Sequence, residues 1–233
     1  MLKLFYAEPS CAAIVRMALE EVGADYELSR ISLVAGDQRK PDYLALNPKG
    51  KVPTLVTANG VLTEVGAILL YLAQTFPKAR LAPLQDTWRL ARMMSFNAFI
   101  ASSVHVILNQ CFRAEKHLTA PASQMDMRTK AAGTLRDYFG IIQTEMGKGP
   151  WVLGDVFSAA DTCLCFYSRL AARFDWFAEY PQVAAHLTAM KARPSYDATF
   201  DKSFRAQEDL FLNLIGTYPA FGYDVRLKAE GGV

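Results

Sequence analysis

Five places along this chain carry residue types that can do chemistry. Cys11 follows a short apolar run and opens a segment of helical periodicity. Free backbone N–H groups and the dipole at a helix start favour an anion, so a thiol there is expected to lose its proton more easily. The competing reading is a small buried cysteine, the usual setting of the residue. Val52-Pro53 is the second place: if that bond is cis, the Val52 N–H and C=O form an open strand edge on which a peptide-like ligand can pair. Glu64 is the third, lying between a strand and a helix. Either it caps that helix, or sits as a solvated turn charge, or it binds an amine. The backbone N–H groups of Val65 and Gly66 behind it suit a carboxylate. His105 stands alone on a long helix with Ser102 and Ser103 near it as candidate wall residues. Finally, Ser158-Ala159-Ala160-Asp161 precedes an apolar run and reads as a capping box with Asp in place of Glu, a folding device contributing about 1 kcal/mol. Cys111, Cys163 and Cys165 sit in apolar helical settings and read as core; Cys163 and Cys165, two apart, would not face each other.

The elements that must position these groups follow from periodicity and punctuation. Leu2 to Ala7 reads as a strand, Ser10 or Cys11 to Val22 as a helix stopped by Gly23, and Tyr26 to Leu33 as a second strand. Pro41 to Leu46 gives a short helix and Val52 to Val56 a strand. Asn59-Gly60 signals a hairpin into Val61-Leu62-Thr63, and Gly66 to Phe76 a helix. Past a linker at Pro77 to Asp86 the pattern is helical throughout: Trp88 to Cys111, Asp126 to Met146, Ser158 to Phe174 and Val183 to Arg193. The expected organisation is an α/β domain over 1–77, a linker over 78–86, an all-helical domain over 87–204, and an aromatic extension over 205–233 that packs on the fold.

Composition excludes several classes. With 52% hydrophobic and 21% charged residues the 233-residue chain is globular, and a net charge of +2 builds no broad surface for nucleic acid or an anionic membrane. The four cysteines are spaced too irregularly for a secreted disulfide framework. No HExxH or CxxC supports a metal site, and no GxGxxG or phosphate loop supports nucleotide chemistry. The N-terminal apolar run is too short for a secretion signal, and no membrane span is expected. The expected location is the cytoplasm.

The motifs taken together resemble a known family. Leu2 to Cys11, Asn47-Pro48-Lys49-Gly50-Lys51-Val52-Pro53, Leu62-Thr63-Glu64-Val65-Gly66-Ala67-Ile68 and Ser158 to Asp161 occur in the order and spacing of the cytosolic glutathione transferases, most like the bacterial beta class, over residues 1–204. The resemblance implies a thioredoxin-like N-terminal domain, an all-α C-terminal domain, glutathione as co-substrate in the cleft between them, no metal, and a homodimer. It implies Cys11 at the glutathione sulfur and Val52 pairing with the cysteinyl part through a cis bond to Pro53. Glu64 and the Val65 N–H hold the γ-glutamyl end, Lys51 reaches a carboxylate, and His105 lines the thiol site. The implied activity is transfer of the glutathione thiol to a small hydrophobic electrophile, a detoxification chemistry. Thiol-disulfide exchange or reductive thiolysis through Cys11 is the second reading, and a non-catalytic binding or assembly module is the third. There are departures. Val65 replaces the serine of many members, and the loop over 34–42 is short, with no clear equivalent of the beta-class lysine. The helical asparagine expected at position 98 is Ala98, with Asn97 beside it expected to face another way. Fewer glutathione contacts are the consequence. The extension over 205–233 has no counterpart in typical members.

Overall fold

The computed structural model describes the backbone of residues 1–215 and the side chains of residues 1–210. Strand β1 (Leu2–Tyr6) runs parallel to β2 (Tyr26–Arg30), with Leu4 opposite Leu28, and antiparallel to β3 (Thr54–Thr57). β3 turns into β4 (Gly60–Thr63), giving the sheet order β2-β1-β3-β4. The parallel pair is joined by helix α1 (Ala12–Val22), whose Ile14, Val15, Met17, Ala18 and Leu19 are buried. Gly23 ends α1 in the left-handed conformation that a glycine adopts without a Cβ penalty.

Two strands are shorter than their sequence pattern suggests. β2 stops at Arg30 because the chain turns at once: Ser32 N–H donates to the Asp37 carboxylate at 2.8 Å and Asp37 N–H to the Ser32 carbonyl, leaving Leu33 and Val34 exposed. β3 begins at Thr54, not Val52, because Pro53 has no N–H to give a ladder. Helix α2 (Pro41–Leu46) and helix α3 (Val65–Thr75) complete the first domain.

The second domain is helical, as expected. Helix α4 (Thr87–Phe99) continues through a π-helical segment (Ile100–Val104) into α5 (His105–Phe112). Helices α6 (Pro121–Glu145), α7 (Ala159–Ala171), α8 (Pro181–Lys191), an unforeseen α9 (Pro194–Thr199) and α10 (Lys202–Ile215) follow. α7 is the axis of the bundle, buried on every side except at Phe166. Its start carries the foreseen capping box, and Asp161, fully buried, also accepts Val152 N–H at 2.7 Å. Among the described residues one stretch, Thr87–Phe112, meets the length and composition of a membrane span. Here it buries Met93, Phe96, Val104 and Cys111 in the bundle.

The boundary expected at 204/205 lies within α10. The first part of the extension is tied down: Glu208 is buried against Arg169 at 2.5 Å and Arg173 at 3.2 Å, and the Arg169 guanidinium lies over Phe200 and Phe204. Residues 216–233 lie outside the described residues. The domains are clamped to each other by Glu21, which receives Arg193 at 2.5 Å and Ser195, and by Arg16 on Asp201 at 3.0 Å.

Candidate functional site

A cavity of about 250 Å³ opens in the cleft between the domains, and Cys11, Lys51, Val52, Pro53, Glu64, Val65 and His105 all line it. The fold thus brings every foreseen site residue to one place. Its first wall is a loop held from behind. Asn47, buried, donates through Nδ2 to the Lys51 carbonyl and to Thr54 Oγ1, each at 2.8 Å, and Tyr43 Oη donates to the same carbonyl at 2.7 Å. Gly50 makes the turn at φ 60°, and a Cβ there would lie 2.9 Å from the Gln38 carbonyl. Beyond the brace the Val52–Pro53 bond is cis. The Val52 carbonyl accepts only the Cys11 thiol, at 3.9 Å, and no acceptor among the described residues meets the Val52 N–H.

Glu64 stands at a φ of 69°, a conformation costly for a residue with a Cβ, directly before α3. Its side chain makes no cap. It is exposed and pairs with Lys49 Nζ at 2.6 Å, which also reaches Thr63. Lys49 is a site residue that sequence reasoning missed. Val65 and Gly66 open α3, where backbone N–H groups lack intrahelical acceptors.

Cys11 caps α1 with its backbone, and Ser10 fixes the entry: its hydroxyl donates to the Ala7 carbonyl and accepts Ala12 N–H. The expected easy loss of the thiol proton is corrected. Burial pushes Cys11 up to about 11, assisted by the Glu64 carboxylate. The hydrogen bond from the backbone and the Lys51 charge pull the other way and lose. The side chain keeps some surface open to the cavity, but the surrounding atoms are dense enough for desolvation to dominate.

The second wall is made of side chains. His105 Nδ1 lies 3.0 Å from Tyr167 Oη, and burial together with Lys51 lowers its pKa, keeping the imidazole neutral at pH 7. Tyr167 and Cys163, both from α7, complete the floor; neither was foreseen as a site residue. Ser102 and Ser103 are not part of the lining.

Asn97 is the largest departure from expectation. It faces the cavity, is 4% exposed, and neither its Oδ1 nor its Nδ2 has a partner. The π segment explains this. Eight positions separate Asn97 from His105, which on a regular α-helix sets them roughly 80° apart. A π turn takes in one extra residue, which removes about 100° of rotation. Asn97, not Ala98, therefore comes to share the cleft-facing side with His105.

Residues 2–74 match the family described as "Glutathione S-transferase, N-terminal domain". A glutathione transferase homologue from Sulfitobacter, solved with bound glutathione, is 33% identical, with a TM-score of 0.79 over 88% of this chain and 99% of that one. Maleylacetoacetate isomerase of Rattus norvegicus is 30% identical over 198 residues, covering 83% of this chain and 89% of that protein. The chain belongs to the glutathione S-transferase family. A bacterial beta class glutathione S-transferase of Sphingomonas chungbukensis is also similar, at 29% identity and a TM-score of 0.73 over 88% of this chain and 98% of that one. The family's two-domain architecture is the one described above. Among the described residues no cluster of His, Cys, Asp and Glu is placed to hold a metal.

Proposed function

We propose that the chain transfers the thiol of glutathione to a small hydrophobic electrophile in this cleft. The observation that carries the reading is the set of unsatisfied polar groups around the cavity: Asn97 with donor and acceptor both unpartnered, and the open Val52 edge. A buried amide without partners costs about 1–3 kcal/mol, a cost that a polar ligand relieves. These groups fit a peptide with an anionic end.

Bound glutathione supplies the nucleophilic sulfur. Val52 pairs its backbone with the cysteinyl part, as an added strand does. The N–H groups at the start of α3 receive the γ-glutamyl carboxylate and Glu64 its amine, while Lys51 attracts the remaining carboxylate. Cys11 stays protonated at neutral pH, so its S–H donates toward the ligand sulfur and, with Asn97 Nδ2, favours the thiolate. Neutral His105, oriented by Tyr167, presents a polar edge to the same space. The apolar side is Ile14, Ile100 and Val106, which suits a hydrophobic electrophile.

Likeness to a beta class structure supports placement in that class. Apolar surface left exposed at Trp88 and Ile141 supports a homodimer, and four unpaired cysteines suit the cytoplasm. A second reading, thiol-disulfide exchange through Cys11, is favoured by Cys163 on the same floor.

Thermal unfolding against glutathione concentration tests the proposal. At ten times Kd the midpoint is expected to rise by about 3–6 °C, and to go on rising with the logarithm of the concentration above that. An unmoved midpoint at millimolar glutathione overturns the reading in favour of a non-catalytic assembly module.

A further inference from the structure

Cys163 was expected to be core, and by exposure it is: only 2% of its surface is accessible. Yet it lines the same cavity as Cys11, from the opposite domain. The other buried thiols do not: Cys165, two residues on along α7, and Cys111, on α5, are absent from the lining. Helices α1 and α7 pack directly on each other, so the two thiols belong to neighbouring elements and line one shared cavity. The unpartnered Asn97 amide points into the same space and marks it as a place where a polar ligand is received.

We propose that Cys163 is a resolving thiol, which converts a glutathione mixed disulfide on Cys11 into a Cys11–Cys163 disulfide linking the two domains. This rests on the reading above, that glutathione reaches Cys11. The steps balance with glutathione disulfide as the oxidant. The Cys11 sulfur attacks one sulfur of glutathione disulfide; an S–S bond forms to Cys11, the original S–S bond breaks, and the Cys11 proton ends on the released glutathione. The Cys163 sulfur then attacks Cys11, expelling the second glutathione, which takes the Cys163 proton. Two protein thiols are oxidised and one glutathione disulfide is reduced to two glutathione molecules.

Burial pushes both thiols up, so both are protonated at neutral pH. The same burial makes exchange slow at neutral pH and faster as pH rises, because the attacking species is the thiolate. The bond would bridge the cleft floor beneath the peptide edge at Val52, so oxidation closes the thiol site that conjugation uses.

The test is intact-mass spectrometry of the full chain incubated with glutathione disulfide at mildly alkaline pH, followed by peptide mapping without reduction. The wild type is expected to lose two hydrogens and yield a peptide pair joining Cys11 to Cys163. Cys163→Ala, and independently Cys163→Ser, is expected to stop at one glutathione adduct on Cys11. Cys165→Ala, a control in the same helix, is expected to behave as wild type. A wild type that accumulates the same stable Cys11 adduct as Cys163→Ala overturns the resolving role and leaves the glutathione site standing. A wild type that forms neither adduct nor disulfide, while retaining its folded circular dichroism, overturns the role together with the reading that Cys11 meets glutathione.

Discussion

The two walls of the cleft are built on opposite principles. The wall from the first domain offers mostly backbone: the Val52 edge and the N–H groups where α3 begins, held by Asn47, Tyr43 and the turn at Gly50. The wall from the second domain offers side chains, Asn97, His105, Cys163 and Tyr167, aimed by helix register. Backbone recognition is tied to local chain geometry and does not draw on side-chain identity. Side-chain recognition depends on rotation about a helix axis, and one added residue in the π segment changes which group faces the ligand.

The sharpest expected effect lies where the walls meet. With the Cys11 thiol pushed up to about 11, its folded form stays protonated through neutral pH. Alkylation of Cys11 by iodoacetamide should therefore rise about tenfold per pH unit, roughly a thousandfold between pH 7 and pH 10. A rate that levels off below pH 8 would mean the helix start outweighs burial.

Next in size is the support of the second wall. Asp161→Ala removes the acceptor for two buried N–H groups and the group 3.2 Å from His186 at the start of α7. A loss of about 3–5 kcal/mol in urea unfolding is expected. A loss under 1 kcal/mol would separate α7 position from the capping box.

The first wall was legible because its motifs are local. The loop over 47–53, the Asn59-Gly60 hairpin and the Glu64 turn each carry their geometry in consecutive residues, and the fold put them where they were expected. The second wall was legible only at His105. Asn97 was misjudged because a regular helix was assumed, and nothing in Ile100-Ala101-Ser102-Ser103-Val104 announces a π turn. Cys163 and Tyr167 lie on a helix buried on nearly every side, where periodicity does not separate the cavity side from the core side. The Cys11 thiol was misjudged for a related reason: the helix start is visible in sequence, but desolvation comes from residues distant along the chain.

Two smaller effects compare the walls directly. Gly50→Ala meets the Gln38 carbonyl and a left-handed φ, so it should cost about 1–2 kcal/mol and shift the Val52 edge. That would appear as a weaker glutathione-dependent rise in melting temperature. Asn97→Leu should act in the opposite sense on stability. Replacing an unpartnered buried amide with an apolar side chain of similar size should stabilise the unliganded protein by about 1 kcal/mol while reducing the glutathione response. Calorimetry with and without glutathione reads both; a variant that loses stability would mean Asn97 is already satisfied.

The most direct test of the central claim is a crystal structure of the chain grown with glutathione. The account predicts the tripeptide stretched along the first wall, its cysteinyl backbone paired with Val52 and its sulfur between Cys11 and Asn97. Glutathione bound elsewhere, or a sulfur pointing away from Cys11 with Asn97 still unpartnered, would contradict it.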